Sequence, residues 1–573
     1  MNIKQRSTLS NRFYQIGYFL VVFLFAIVAV STLFFAIGIP ILRANVVIAF
    51  LVTCFWMHKE YPDDSDVIKM IGIALAIICI CALIATYVYD FSFDGNTYHK
   101  STVGMLRYGW NPIYQSFGSA ALRNKIIPEY DWPVWYDHYP KASWIIGAAF
   151  YAISGNIETG KCFNNILIIS AALLIVSELL KRSRMGMPKC IVIGLIAVLN
   201  PITIAQSQSY YNDGAMQMLI FITMVALIEW TFDRKCRYGK TLIFCTINLA
   251  LNIKFSGIIF MGIYCGAFFF WWVLRDYRVN KNIKTCWQYI RFYCITLLVT
   301  FGFTGSTSYV YNLLHKHNPL YTMIGEGKIE IITSMLPRAY ERLPKVMQVI
   351  QSIFSRTSNI GHESVDDPML KIPFEVTADQ WALGDCFDTR IAGWGMLFSG
   401  IFIIAIIAVI FVVLHNLRSK DVIWKNEYFI IFTLTIVTTL IQSIFVPGLA
   451  WARYYAHLFV IPLLALCALW NKCQKTIGQL VGVVIVLLLT LNNVNYIDYA
   501  LQRVNISQDS RAELLYLSDI SKNQQLQISL PGGEYMQGFL FNLMDNDIDY
   551  LYVDDLQDGT IAFNWRISYK LDG

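Results

Sequence analysis

The sequence predicts an all-α polytopic membrane protein that carries a small α+β segment at its C-terminal end. Hydrophobic residues make up 56% of the 573 residues, charged residues only 15%, and the mean hydropathy is +0.49. A soluble domain could not bury that much apolar surface. Apolar runs of about 20 residues, the length that crosses a hydrocarbon core, recur between Ile16 and Asn493. These observations predict that lipid is the solvent of most of the chain.

About thirteen apolar runs predict transmembrane helices. In chain order they lie at about 14–39, 42–57, 68–89, 161–180, 189–205, 214–232, 240–254, 257–274, 286–304, 391–415, 427–446, 453–470 and 477–493. The seventh and eighth runs require two short helices that turn at residues 254–257. The first run is too long for a signal peptide, so we expect it to be retained as a span.

Positive charge predicts the orientation of these helices. Lysine and arginine collect in the loops that alternate onto one face, which should be the cytoplasmic face together with the N-terminus. These basic segments are the N-terminus, 181–184, 233–237, 275–284, 415–425 and 471–475. We therefore predict an integral protein of a bacterial-type plasma membrane, with its large loops and its C-terminus outside the cytoplasm. The formal net charge of +6 fits this asymmetry and does not imply a nucleic-acid partner.

The chain divides into three predicted parts. Residues 1–67 form the N-terminal cytoplasmic end and two extra helices, residues 68–493 form a transmembrane core, and residues 494–573 form a small extracytoplasmic domain. Within the core, the outer loops 90–160 and 305–390 are rich in tryptophan and tyrosine, which predicts helices lying along the membrane surface. In the last part, apolar and polar residues alternate around Pro531-Gly532-Gly533, which predicts short strands.

The first outer loop opens with acidic residues directly after a predicted span. The stretch YDFSFDGNTYHK places Asp90, Asp94 and His99 there. A carboxylate at such a position could accept a proton from a hydroxyl group, because apolar surroundings raise its pKa toward a useful value. The alternative, that Asp90 and Asp94 only solvate a helix end, has equal weight on composition alone.

The second outer loop supplies another acidic residue. Asp213, in QSQSYYNDG, stands at the start of a predicted span, where an aspartate commonly caps a helix. The functional alternative is that Asp213 faces the acids of the first loop across a cavity. There it would either hold a divalent cation or orient a catalytic partner.

Basic residues are scarce on the predicted outer face, so the few that lie there are candidates for binding an anion. Lys254 lies at a helix turn, and Arg453 lies in PGLAWARYYAHLF. Charge at membrane depth is costly and often functional, and both residues could neutralise a phosphate. Arg338 and Lys328 in the later loop could also meet an anionic headgroup. The alternatives are snorkelling for the first pair and a solvated interfacial helix for the second.

Five motifs in order on the predicted outer face carry a resemblance to a known family. They are SFDGNTYH, HYPKASWIIGAAFYAISGN, QSYYNDGAM, ALNIKFSG and HNPLYTMIGEGKIE. The arrangement resembles the GT-C fold membrane glycosyltransferases, which include protein O-mannosyltransferases and the lipid A aminoarabinose transferase, over most of residues 68–470. It departs from the simplest pattern in having two extra spans before the acidic loop. A WWDYG-type motif is missing, so the resemblance does not extend to asparagine glycosylation.

The resemblance implies transfer of a sugar from a polyprenyl-phosphate donor to a hydroxyl group of a glycan, lipid or protein acceptor in cell-envelope synthesis. It implies Asp94 as the general base, Asp90 as second choice and Asp213 as the second-loop acid. Lys254 and Arg453 would contact the donor phosphate. The remaining implied substrate contacts are Tyr98, His99, Arg338, Tyr454 and His457. No cofactor is implied, and a divalent cation, if one takes part, would bind at Asp94 and Asp213.

Two other functions remain open. An O-antigen or capsule polymerase would also have many spans and large outer loops. A lipid-linked oligosaccharide flippase or other transporter would show broken helices and ionisable residues near the bilayer midplane. The acidic YDFSFDG motif and the collection of charges at outer helix ends favour the transferase.

Overall fold

The computed structural model describes residues 3–62, 64–128, 133–234, 237–280, 284–329, 334–418, 427–472, 476–556, 559–564 and 566–571. The described chain is mostly helical. Its α-helices are α1 (Ile3–Ala36), α2 (Arg43–Glu60), α3 (Val67–Tyr87), α4 (Lys100–Arg107), α5 (Phe117–Asn124), α6 (Pro133–His138), α7 (Ala142–Ser154), α8 (Phe163–Arg182), α9 (Met187–Val198), α10 (Pro201–Gln206), α11 (Asp213–Phe232), α12 (Arg237–Ile253), α13 (Ser256–Asn280), α14 (Lys284–Leu298), α15 (Tyr311–Lys316), α16 (Lys345–Ile353), α17 (Ala378–Ala382), α18 (Phe398–Arg418), α19 (Glu427–Phe445), α20 (Val460–Lys472), α21 (Thr476–Leu491), α22 (Val494–Ser521) and α23 (Gly538–Met544).

Shorter helical turns connect several of these helices. The π-helical segments are Gly95–His99, Val299–Thr304 and Ser306–Val310, and the 3-10 segments are Ile157–Cys162, Arg338–Tyr340, Leu383–Asp385, Ala452–Phe459 and Gly533–Met536. The strands are β1 (Leu526–Ser529), β2 (Tyr550–Tyr552), β3 (Thr560–Ala562) and β4 (Ile567–Leu571).

Eight helical stretches of the described residues are long and apolar enough to cross a membrane, which fits the predicted class of membrane protein. They are Lys4–Ala36, Val67–Tyr87, Ile157–Arg182, Asp213–Phe232, Ser256–Arg278, Glu427–Phe445, Ala452–Asn471 and Thr476–Ser521, and the shorter apolar helices are Ala142–Ser154, Met187–Val198 and Phe398–Leu414. The count of thirteen is not confirmed. The predicted span 189–205 is divided, because Asn200 accepts a hydrogen bond from Thr203 N–H (3.3 Å) and caps α10 ahead of Pro201.

The first helix lies inside the bundle and packs along α8. Small residues allow the close approach, since Ser170 Oγ donates to the carbonyl oxygen of Gly17 (2.7 Å) and a Cβ at Gly17 would overlap Leu174. At the far end, Arg6 donates to the carbonyl oxygens of Leu180 (2.5 Å) and Met185 (2.6 Å). These carbonyls at and just beyond the end of α8 thereby gain donors, and the cation complements the helix dipole.

The predicted turn between the seventh and eighth runs is present. Helix α12 ends at Ile253 and α13 begins at Ser256. Gly257 allows the two helices to approach, because a Cβ there would overlap the carbonyl group of Ala250. The turn leaves the side chain of Lys254 pointing toward the start of α11, where it meets Asp213.

The predicted C-terminal strands are also present. The four described strands form one sheet in the order β2-β1-β4-β3, with β1 parallel to β2 and antiparallel to β4. Helix α23 makes the crossover between the two parallel strands, as such a connection requires. The 28-residue helix α22 joins this sheet to the transmembrane bundle.

The C-terminal sheet and α23 pack on the start of the first large loop. Phe563 contacts the rings of Tyr89 (5.1 Å) and Phe91 (5.7 Å), and Gly538 meets the backbone of Asn96. Thr97 Oγ1 donates to the carbonyl oxygen of residue 535 (3.1 Å). The C-terminal part is therefore a wall of the region that holds the predicted acidic residues.

Candidate active site

A tight backbone turn separates the two acidic residues of the first loop. Gly95 begins the π-helical turn, and a Cβ there would overlap the carboxylate of Asp90 and the hydroxyl of Ser92. Asp90 is fully buried, and its carboxylate accepts hydrogen bonds from Ser92 N–H (2.8 Å) and Tyr210 N–H (2.8 Å). Both of its oxygens are thus engaged, which fits a structural role better than proton transfer.

Asp94 lies on the accessible side of the same turn. Its side chain is 21% exposed, and Arg453 Nη1 donates to its Oδ2 at 3.1 Å. The arginine comes from the start of a helical segment 359 residues later in the chain. Asp94 therefore combines access with an ordered position, and a proton acceptor must be within reach of the proton that it takes.

Arg453 is the centre of the charged group. Its side chain is 8% exposed, and besides Asp94 it faces Asp388 Oδ2 (3.5 Å) and Asp213 Oδ2 (3.8 Å). The ring of Trp451 lies 4.2 Å from its Cζ atom. A buried arginine among carboxylates is held in a fixed position, because moving it away would leave dehydrated charges without a partner.

Asp213 is joined to a second cation. Its Oδ1 forms an ion pair with Lys254 Nζ, and Gln206 Nε2 lies 3.4 Å from its Oδ2. Asn212, rather than Asp213, occupies the N-cap position of α11. The carboxylate thus points toward Lys254 and Arg453, and Asp213 is not the capping residue of α11.

We call Asp94, Asp213, Asp388, Lys254 and Arg453 the open cluster. Burial raises the pKa of Asp94; the positive charge of Arg453 lowers it, and the negative charge of Asp388 raises it further, leaving the pKa above its ordinary value. The described members comprise three acids and two bases. Asp94 in this cluster therefore binds a proton more readily than an ordinary surface aspartate does.

Tyr98 and His99 follow Asp94 with different surroundings. Tyr98 is half-buried, and its ring stacks on Trp135 with centroids 5.8 Å apart. His99 is buried, and its Nδ1 accepts a hydrogen bond from Trp144 Nε1 (2.5 Å). Burial lowers the pKa of His99 well below its ordinary value, so this residue is a neutral acceptor behind the site.

The other predicted substrate contacts also differ in their surroundings: some contact the open cluster and others do not. Tyr454 Oη accepts from Arg453 Nη2 (3.0 Å), and its ring lies 4.3 Å from Lys254 Nζ. His457 is buried and its Nε2 lies 2.7 Å from Gln442 Oε1. Arg338 is exposed in its 3-10 turn, and no described ion pair or hydrogen bond joins it to Asp94, Asp213 or Arg453.

Sequence reasoning missed Asp388. The residue lies in GDCFDTR, between a 3-10 turn and α18. An acid shortly before a predicted span was the signal used for Asp213, and the same signal was available here. The neighbouring Asp385 is 66% exposed on its side chain and pairs with Arg503 instead (3.4 Å).

A second group of charges lies behind the first and was not predicted. Glu158 forms ion pairs with Lys100 (2.7 Å) and Lys161, and all three side chains are fully buried. Asn542 of α23 donates to Glu158 Oε1 (2.9 Å), and the backbone N–H of Asp90 donates to Oε2 (3.0 Å). We call these five residues the sealed cluster, which joins the acidic loop to the C-terminal sheet.

A divalent cation at Asp94 and Asp213 finds little support in this geometry. No group of three or more histidine, cysteine, aspartate or glutamate residues suited to a metal occurs in the described part of the chain. Asp94 and Asp213 instead share the guanidinium of Arg453, which supplies the positive charge that a metal would bring.

Comparisons with known proteins do not identify the function of this site. Neither a protein-family model nor a curated protein matches the chain. The resemblance to GT-C glycosyltransferases consequently rests on the motifs and their order, and the function has to be argued from the open cluster itself.

Proposed function

We propose that the protein is a membrane glycosyltransferase of the GT-C type, which moves a sugar from a polyprenyl-phosphate carrier to an acceptor hydroxyl outside the cytoplasm. The observation that carries the proposal is the environment of Asp94. This acid is partly exposed, paired with a buried arginine (3.1 Å) and has a raised pKa. Such a group is suited to taking a proton from a hydroxyl near neutral pH.

In the proposed reaction, Asp94 accepts the proton of the acceptor hydroxyl as that oxygen attacks the anomeric carbon. A new C–O bond forms, the bond between the anomeric carbon and the phosphate oxygen breaks, and its electron pair leaves with the phosphate. The displacement would invert the configuration at the anomeric carbon. A separate acid is not needed, because the phosphate is already a good leaving group.

The rest of the open cluster would hold Asp94 in place. Arg453 fixes the carboxylate, while Asp213 and Asp388 face other atoms of the same guanidinium. Lys254 in turn pairs with Asp213. This arrangement supports an ordered base before substrate binds, so less reorganisation is required during the reaction.

The predicted orientation supports a lipid-linked donor. The basic loops assign the large loops to the extracytoplasmic face, where nucleotide sugars are not expected. A polyprenyl carrier could reach the site sideways through the outer leaflet. The predicted thirteen spans, the GT-C class and the extracytoplasmic position of the active site all belong to this proposal.

The experiment is sugar transfer by purified protein in lipid, with a panel of polyprenyl-phosphate sugars and an acceptor extract. Native protein would be compared with Asp94→Asn, and Asp367→Asn would serve as the control, since Asp367 is an exposed acid of the later loop. We expect donor consumption by the native protein and the control, and its loss in Asp94→Asn with unchanged unfolding temperature.

Two results would contradict the proposal. A folded native protein that consumes none of the monophosphate donors would remove the transferase function, and consumption of a diphosphate-linked repeat unit instead would indicate a polymerase. Full activity of Asp94→Asn would exclude Asp94 as the base and return Asp90 to consideration.

A further inference from the structure

The open cluster leaves its two cations poorly available to a phosphate. Arg453 faces three described carboxylates, and Lys254 forms an ion pair with Asp213. Three acids against two bases repel an approaching anion. Another positive charge beside the cluster is needed if the donor is a phosphate ester.

Arg390 provides that charge. Its Cζ atom lies 5.3 Å from the ring centroid of Trp451, the same ring that lies 4.2 Å from Arg453 Cζ. The side chain is half-buried, and no ion pair joins it to a carboxylate among the described residues. Arg390 is thus adjacent to the open cluster without being neutralised by it.

The backbone fixes Arg390 next to the segment that carries Arg453. Its N–H donates to Asn359 Oδ1 (3.0 Å), and its carbonyl oxygen accepts from Ala452 N–H (3.4 Å). Gly361 leaves room for the guanidinium, because a Cβ at that position would overlap Nη1. The position of the arginine therefore depends on contacts from both sides.

We propose that Arg390 binds the phosphate monoester of the lipid-linked donor, while Arg453 serves to hold Asp94. An arginine can offer two parallel N–H groups to a phosphate, and a partly buried site strengthens that pair. The leaving phosphate would then develop its charge beside Arg390 rather than among three carboxylates. This inference rests on the proposed function, since it names the group that recognises the donor.

A purely structural role is the alternative to be tested. Arg390 Nη2 lies 4.0 Å from Met335 Sδ, so the side chain could simply pack the later loop. The two roles differ in one respect: a packing role has no preference for a phosphate over an alcohol.

Binding of geranylgeranyl monophosphate, geranylgeraniol and inorganic phosphate to the full-length protein in detergent would test the proposal. We expect Arg390→Gln to weaken binding of the monophosphate about 10- to 100-fold, as loss of a charged hydrogen bond does, with no change for the alcohol. Arg390→Lys should retain part of the affinity. Arg356→Gln is the matched control, because Arg356 belongs to the same loop and pairs with Glu375.

The results separate this inference from the proposed function. If native protein prefers the monophosphate and Arg390→Gln keeps that preference, the assignment of Arg390 is wrong and the transferase proposal stands. If inorganic phosphate binds as tightly as the prenyl monophosphate, the site recognises a free anion and the lipid donor is excluded. If native protein shows no preference for the monophosphate over the alcohol, both proposals fail.

Discussion

The open and sealed clusters contain the same kinds of residues but differ in access and charge balance. Glu158, Lys100 and Lys161 are fully buried, and with Asp90 they give two acids and two bases. Asp94 is 21% exposed in a group with an excess of acid. The two clusters begin only four residues apart in the chain, at Asp90 and Asp94.

The difference shows how one acidic motif can supply a buried framework residue and, in the proposed function, a general base. Both carboxylate oxygens of Asp90 accept hydrogen bonds from backbone N–H groups. Asp94 has an accessible side and accepts from a single arginine. Proximity in sequence therefore says little about role. Access to solvent and completeness of hydrogen bonding separate the two aspartates.

The largest expected effect is the loss of turnover when Asp94, in the open cluster, is substituted. Asp94→Asn should lower turnover about 10²- to 10⁴-fold, the usual contribution of a general base. Arg453 keeps Asp213 and Asp388 as partners in this variant, so the unfolding temperature should stay unchanged. Asp90→Asn should instead lower that temperature, and the opposite pattern in the two variants would reverse the roles assigned to them.

Substitution in the sealed cluster should lower the free energy of unfolding. Glu158→Gln leaves Lys100 and Lys161 buried without their counterion, at a cost of about 3–5 kcal/mol. Thermal unfolding in detergent would measure the loss. Glu375→Gln, which breaks a partly exposed ion pair with Arg356, should cost at most about 1 kcal/mol. Equal effects in the two variants would show that Glu158 is not structurally required.

The contact between the C-terminal sheet and the acidic loop can be loosened without changing any charge. A Cβ at Gly538 would lie 2.8 Å from the carbonyl oxygen of Asn96. Gly538→Ala should therefore cost about 1–3 kcal/mol, reduce turnover and increase proteolysis after α22. Gly266→Ala is the control, since the added Cβ would meet no atom within 4 Å apart from the adjoining chain and helix backbone. Normal turnover in Gly538→Ala would mean that the sheet does not help to order Asp94.

The same contact should also depend on pH, because it includes a buried carboxyl group. Asp545 accepts hydrogen bonds from Ile157 N–H (2.6 Å) and Tyr151 O–H, and burial raises its pKa to about 7. Its ordinary pKa is about 3.9, so folding takes up a proton between these values. The stabilisation is complete below about pH 4 and is lost as the pH rises through about 7.

Unfolding temperatures of native protein and Asp545→Asn between pH 4 and 8 would measure this dependence. The native protein should lose stability relative to the variant as the pH increases. Parallel curves would show that Asp545 has the same affinity for protons in the folded and unfolded chains.

Much of the open cluster could be predicted because its members occupy one kind of position. Asp94, Asp213, Lys254 and Arg453 lie at helix ends on one predicted face, and the cost of charge in lipid restricts such residues to function or to the interface. Their pairing could not be predicted, since Asp94 and Arg453 are separated by 359 residues. Lysine and arginine were expected to meet phosphate, and the structure joins both to carboxylates first.

Other features left no usable pattern in the sequence. Glu158 follows a short apolar helix in GNIETGK and resembles a solvated loop residue until α23 covers it. Arg390 belongs to a long loop without helical or strand periodicity. The number of spans stays a prediction, because hydropathy alone does not separate a short apolar helix such as α9 from one that crosses the membrane.

The packing of the C-terminal sheet on residues 89–100 also imposes an order on biosynthesis. The loop that carries Asp94 is synthesised long before Asn542 and Phe563, which contact Lys100 and Phe91 in the folded chain. Lys100 and Phe91 lack these partners until then. A nascent chain that stops before α23 should therefore have an incompletely ordered acidic loop, even when most of its helices have already formed.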